Sequence, residues 1–500
     1  MKTKPLFIHN GHFITNGHEI HIRGLVIAQG LIHSIVHRNL SPPPETKAID
    51  LKGACLLPGF TDAHTHLIAR GIELQRVDLE SCPSANDCYE VLRNHVKMGQ
   101  IPVFGSNYDD TGWVNLPARQ DLDRLSRTVP IIMRRICGHY AVVNSAALKC
   151  IPRDWRIVNR ATGELLEDAA LYLNDIFKPD RSQMARAVAL GSNEALRNGI
   201  TSVHEIGSPE RLALLQEIRH SSGLHLRFSM YILASYLDTI VKTGLHSGFG
   251  DAMLRFAGVK VFLDGSIGAR TAALNKPYRN SRTRGVLLMS QETFEHLIQT
   301  AEHNCLQLMI HTIGDRASAL AVRTLKKHVP SANPLHHRLE HCEVLDSKTI
   351  KLMASHHIIA SMQPNFTRRW QQPAGLYEQR CGRRYYSMNC FKTLHDAGVT
   401  ITFGSDCMPV GPLYGLPGAI EHPFSCGRLT RPQALNMYTR TAAQATFEEH
   451  TKGELRKGMY ADFVVLDSNP LKAASFDAIK VRMVMVGGRI VYQAPGQHFL

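Results

Sequence analysis

Nowhere in the 500 residues do eighteen apolar side chains run together, so no membrane-spanning helix is expected. The segment Met1 to Gly17 alternates polar and apolar residues and lacks the unbroken apolar stretch of a secretory leader. The eleven cysteines are scattered, odd in number and without a C-x-x-C pair, which argues against a disulfide framework and fits a reducing cytoplasm. Long runs of one charge are missing too. The net charge of +14 is spread over short pairs such as Arg134-Arg135, Arg368-Arg369 and Arg383-Arg384, and no nucleic-acid reading motif accompanies them. The expected partner is therefore a small-molecule substrate, with no nucleic acid and no membrane; a homo-oligomer is left open. Internal repeats and low-complexity segments are also lacking.

What the chain does contain is two kinds of strand pattern. Short strands at Leu6 to Ile8, His12 to Ile14, Leu25 to Ile27 and Ser34 to Val36 are punctuated by Asn10-Gly11 and Asn16-Gly17 turns. The same character returns at Phe463 to Leu466, Val481 to Val486 and Ile490 to Tyr492. Two half-sheets from opposite ends of a chain can join, since domain termini often lie close together. Between them, apolar strands alternate with helical stretches, the pattern of a parallel sheet with crossover helices. Candidate strands are Cys55 to Leu57, Ile200 to Val203, Val259 to Phe262, Leu308 to Ile310, Arg338 to Glu340, Ile358 to Met362 and Thr400 to Phe403.

The expected fold is thus α/β: a (β/α)8 TIM-like barrel with a composite β-sandwich from both chain ends and an insertion domain after the first barrel strand. We place the sandwich at residues 1–57 and 451–500 and the barrel at 58–76 and 181–450. The insertion, at 77–180, breaks the alternation and is expected to cover the active site.

Ligand-type residues fall at the ends of these strands. In Pro58-Gly59-Phe60-Thr61-Asp62-Ala63-His64-Thr65-His66, His64 and His66 are two apart on a strand and point to one face, so both imidazoles can reach one ion. Leu308-Met309-Ile310 runs into His311, Arg338-Leu339-Glu340 into His341, and Phe403-Gly404-Ser405 into Asp406. Thr402, Gly404 and Asp406 share a small or polar face, which turns Asp406 towards the barrel axis. His204-Glu205 also ends a strand and is read as a supporting position behind the ligands.

These elements, with the terminal Lys457 to Asp467 segment, resemble the amidohydrolase superfamily. Gly258-Val259-Lys260-Val261-Phe262-Leu263-Asp264-Gly265-Ser266, followed by Arg270, is similar to its amidohydrolase-3 branch, which includes YtcJ-like proteins and N-substituted formamide deformylases. The resemblance implies a hydrolase of non-peptide C–N bonds that uses one or two divalent ions, zinc foremost. It implies that Lys260 is carboxylated and bridges two ions; pairing with Asp264 is the alternative reading. On this reading His64, His66, Lys260 and Asp406 hold one ion and Lys260, His311 and His341 the second, with Asp406 moving the proton between water and the leaving nitrogen. Substrate contacts are expected from His139, Trp113, Asp264, Arg270 and Gln363. A core role for Trp113 and an Asp264 salt bridge for Arg270 are equally open. Other readings are a single-ion deaminase of a heterocycle and a non-catalytic regulator on the same fold.

Overall fold

The computed structural model describes residues 4–37, 46–136, 140–153, 158–166 and 168–496. Two compact units divide the chain, one of residues 1–66 and 192–500 and the other of Leu67–Gly191. Among the described residues no helix is long and apolar enough to cross a membrane.

The larger unit contains an eight-stranded parallel sheet. Its strands are β1 (Phe60–Thr65), β2 (Ile200–Gly207), β3 (Arg227–Leu233), β4 (Leu254–Phe262), β5 (Leu308–Thr312), β6 (Arg338–His341), β7 (Ile359–Met362) and β8 (Ile401–Phe403), paired in that order. The two edges then meet, because Asp406 N donates to His64 O at 2.9 Å and Ser405 N to the Asp62 carboxylate at 2.8 Å. Gly404 is required at this seam: a Cβ there would lie 2.4 Å from His64 N. The chain is therefore an α/β barrel, and the strands are buried on both faces, as a ring wrapped in helices demands. Helix Asp315–His328 illustrates the wrapping. Ala317, Leu320, Ala321, Val322 and Leu325 face inward, with Asp315 in its first turn and Lys326, Lys327 and His328 in its last, favourable to the helix dipole.

The chain ends build two sheets beside the barrel. One contains only N-terminal strands, in the order Leu31–Val36, Gly24–Ala28, Leu6–His9 and Lys47–Asp50; the other interleaves Arg489–Gln493, Val481–Val486 and Phe463–Leu466 with Cys55–Pro58, His12–Thr15 and His18–Ile20. Ile8, Phe13, Leu25, Ile49, Leu56, Phe463 and Met483 form their shared core. The Cys55 to Leu57 strand therefore belongs to this sandwich and not to the barrel: Leu56 pairs with Phe13 and Val465. Asn10 and Asn16 occupy left-handed turn positions at φ 57° and 52°, as the Asn-Gly signals require. Barrel and sandwich are joined by a buried fork in which Arg227 Nε and Nη2 donate to the Asp462 carboxylate at 2.6 and 2.8 Å.

The smaller unit carries a six-stranded sheet of its own, ordered Val158–Asn159, Glu164–Leu166, Tyr140–Val143, Ile131–Arg135, Val103–Tyr108 and Val77–Asp78. Leu92 from helix Ala85–Lys97 packs with Val77, Tyr108, Ile131 and Met133 on one side of it. Ser84 caps that helix by accepting from Asp87 N.

Candidate metal centre

The C-terminal ends of the barrel strands bring five of the expected ligands into one cluster. His66 Nε2 and His64 Nε2 lie 3.3 and 3.7 Å from Asp406 Oδ1, and ligand atoms of all three fall within 4.8 Å of one another. The His64 ring is 4.8 Å from that of His341, and the His341 ring is 4.4 Å from that of His311. Lys260, only 1% exposed, ends β4 beside them, and its Nζ has no hydrogen-bond partner.

The outward hydrogen bonds fix which nitrogen of each ring faces the cluster. Arg338, always protonated, lies fully buried and grips Glu340 with Nε to Oε1 at 2.6 Å and Nη2 to Oε2 at 3.0 Å. Burial alone would raise Glu340, yet this guanidinium, helped by Lys260, holds it below the usual carboxylate range. Glu340 is then acceptor only, so His64 Nδ1 donates to it at 2.5 Å and His64 Nε2 keeps its lone pair. His341 Nδ1 donates to Gln363 Oε1 at 2.8 Å, and His311 Nε2 to Gly265 O at 3.2 Å. Each of the three rings thus keeps one nitrogen unprotonated. Burial, with the Lys260 charge next for His64 and the other histidines first for His341, keeps both imidazoles neutral, and His311 is pushed down to about 3 by burial and Lys260.

The charges left in the cluster are unsettled without a cation. Burial lowers Lys260 to about 8 although Glu340 and Asp406 pull it upward, and burial raises Asp406 to about 7 against the pull of Lys260. Neutral imidazoles, a carboxylate and an orphaned amine are donors suited to a divalent ion of the zinc type. His341, Cys342, Asp406 and Cys407 also adopt left-handed backbone angles of φ 70°, 51°, 51° and 58°. Asp and His tolerate this region better than most residues, so the strain falls chiefly on Cys342 and Cys407, at about 1–3 kcal/mol each, a burden that surrounding structure sustains where side chains must be aimed.

Asp264 is buried and its carboxylate is taken up by Ala273 N, Ile313 N and Gly314 N at 2.9, 3.0 and 2.8 Å, so it anchors the loops after β4 and β5. It pairs with neither Lys260 nor Arg270. Arg270 is half-buried at φ 61°, with its Nε unpartnered. Gln363 is buried against His341 and orients that ring. Trp113 is half-buried, stacks on Tyr108 with centroids 5.7 Å apart and packs against the core of the smaller unit. His139 lies outside the described residues.

Two residues with functional leverage, Arg338 and Glu340, received no role from the sequence. Both point into the barrel from β6, and an acid and a base two apart on one face of a short strand were the available signal. Arg338 further donates to Ala63 O, Ser361 Oγ and His204 Nδ1, at 2.5, 2.7 and 2.9 Å. His204, fully buried, supports the ligands through that contact. Glu340→Gln keeps the shape but weakens the hydrogen bond that orients His64; metal affinity is expected to fall about 10–100-fold, measured by competition with a chromogenic chelator. Unchanged affinity would remove Glu340 from this role.

Comparison with known proteins follows the same lines. The chain is 28% identical over 493 residues to YtcJ of Bacillus subtilis (strain 168), an amidohydrolase by name, covering 90% of this chain and 91% of the relative. It is 24% identical over 504 residues to the N-substituted formamide deformylase of Arthrobacter pascens, covering 91% of each. Among solved structures, a metal-dependent hydrolase from Pyrococcus furiosus superposes with a TM-score of 0.84 at 25% identity, over 94% of this chain and 100% of that one. Residues 47–492 match the amidohydrolase family, spanning the barrel, its histidine-rich mouth and half of the sandwich strands, so the chain belongs to the amidohydrolase family of metal-dependent hydrolases.

Proposed function

We propose that the chain hydrolyses an amide-type, non-peptide C–N bond of a small molecule at the mouth of its barrel. The reading is carried by one observation: the His64, His311 and His341 rings, each with one unprotonated nitrogen, cluster with His66 and Asp406 at the strand ends, where the buried Lys260 amine has no hydrogen-bond partner. His64, His66 and Asp406 would hold one ion, and His311 and His341 a second, with Lys260 between the two sets. A divalent ion bound there supplies Lewis acidity towards a carbonyl and brings the pKa of water towards about 7.

The protein's own groups do the rest. A protonated Lys260 would repel any cation placed among these ligands, so its amine must first be neutral; burial, which lowers it to about 8, favours that form. The neutral amine can add carbon dioxide, forming an N–C bond and releasing one proton, which leaves an anionic carbamate where a cation stood. Asp406 retains about 19% exposure at the mouth and is raised to about 7, a value that lets it take a proton from water and give it to a departing nitrogen. Arg338 and Glu340 keep His64 in register throughout, and Asp264 holds the loops that frame the opening.

The test is a metal assay joined to a substrate screen. Protein purified without chelator is expected to hold one or two divalent ions per chain and to cleave some N-acyl or N-formyl amines, releasing the free amine. Stripping the ion should lower the melting temperature, since an ion present at 100 times its Kd contributes about 2.7 kcal/mol, and zinc or manganese should restore it. A protein that binds no ion and melts identically with and without chelator is not the hydrolase described here.

A further inference from the structure

Away from the metal ligands, two cysteines 36 residues apart in sequence meet. Cys390 Sγ and Cys426 Sγ are 2.6 Å apart and both side chains are half-buried. Cys390 immediately precedes helix Phe391–Asp396, whose Phe391 is fully buried, and Cys426 sits in the turn that follows helix Pro412–Ile420. The backbone around them is already tied: Thr393 N donates to Cys426 O at 3.0 Å and Asn389 N to Glu343 O at 2.9 Å. Phe424 packs its ring against Tyr385 and Tyr386 at 5.1 and 4.8 Å across the same junction.

We propose that Cys390 and Cys426 are a thiol–disulfide pair, a modification site whose co-reactant is a low-molecular-weight disulfide such as oxidised glutathione. With the sulfurs 2.6 Å apart, they need approach by only about half an ångström to reach bonding distance. Cys426 is the attacking sulfur. Cys390 Sγ donates to it, which favours the thiolate there once Cys426 has given up the proton it directs to Tyr386 O at 3.4 Å. Its thiolate attacks one sulfur of oxidised glutathione, forming a mixed disulfide and expelling one glutathione thiolate. The Cys390 thiolate then attacks the Cys426 sulfur and expels the second. Two protein thiols are oxidised, one glutathione disulfide is reduced to two glutathiones, and the two protein protons pass to the departing thiolates.

The consequence is a brace between the loops that follow β7 and β8. Tyr385 and Met388, just before Cys390, share an apolar cluster with Phe366, and Met408 and Phe424 pack against it. Phe366 in turn lies parallel to the His341 ring at 6.0 Å. Oxidation therefore closes a covalent loop around the wall that backs this ligand, and it constrains the unfolded chain as any crosslink does.

The full-length protein, purified under reductant, is treated with oxidised glutathione until the exposed Cys150 and Cys305 have reacted completely, then alkylated and mapped as non-reduced peptides. The expected result is a peptide pair joined through Cys390 and Cys426, a melting temperature higher by several degrees, and reversal of both by dithiothreitol. Cys390→Ser and Cys426→Ser should each abolish the crosslink and the shift. Recovery of both residues as alkylated thiols, or of Cys426 as an unresolved glutathione adduct, would overturn the pairing. A crosslink with no change in melting would overturn the brace.

Discussion

Asp406→Asn is expected to lower kcat by about 10²–10⁴-fold while the metal content per chain stays close to that of the parent protein. The amide keeps the size of the carboxylate and one oxygen for coordination, so the cluster around His64 and His66, whose Nε2 atoms lie 3.7 and 3.3 Å from Asp406 Oδ1, should persist. What the amide cannot do is accept a proton from water and return it. The pH profile supplies the discriminating readout. Burial raises the Asp406 carboxyl to about 7, and the carboxylate is the working form, so activity should rise with pH through its pKa; a bound cation draws that limb to lower pH. In the variant the apparent pKa of this limb should shift, since only the water that a bound ion would acidify still titrates there. A variant with full turnover, or one whose loss is explained by an empty metal site, would remove Asp406 from the proton-transfer role.

The sequence carried this site further than the hydrogen bonds behind it. The His64-x-His66 spacing and the parity of Thr402, Gly404 and Asp406 are local patterns, and local patterns survive in one dimension. His311 could be found because it follows the apolar run Leu308-Met309-Ile310, and His341 because it closes the strand Arg338–His341. Arg338 and Glu340 could not be given their role in the same way, since the contact that matters, His64 Nδ1 to Glu340 Oε2, spans 276 positions. The left-handed backbone at His341, Cys342, Asp406 and Cys407 was equally invisible, for no Gly or Asn marks it.

Similar limits governed the fold. Cys55–Pro58 is as apolar and as buried as a barrel strand, and only its pairing with Phe463–Leu466 places it in the sandwich. Arg227–Leu233 does not declare itself as a barrel strand in the sequence. It opens on an arginine that looks like a surface residue, and its true partner, Asp462, is 235 positions away.

Arg338→Met should be the most damaging single change to folding in the barrel, costing about 3–5 kcal/mol, read as a lower denaturation midpoint. The guanidinium is fully buried and satisfies Glu340, Ala63 O, Ser361 and His204 at once, so methionine replaces its volume and none of its donors. Glu340 would be left as a buried carboxylate without its counter-ion, and burial would then push it up and protonate it. A protonated Glu340 accepts from His64 Nδ1 only through its neutral carbonyl oxygen, and the bond that aims Nε2 at the cluster weakens. Stability and metal retention should therefore fall together in the single variant. They should separate in the double variant Arg338→Met/Glu340→Leu, which removes both charges: much of the folding loss should be recovered, because an apolar pair can replace a buried ion pair, while metal affinity should stay low. Recovery of both in the double variant would mean that the pair serves folding alone, and an unperturbed single variant would mean that it serves neither.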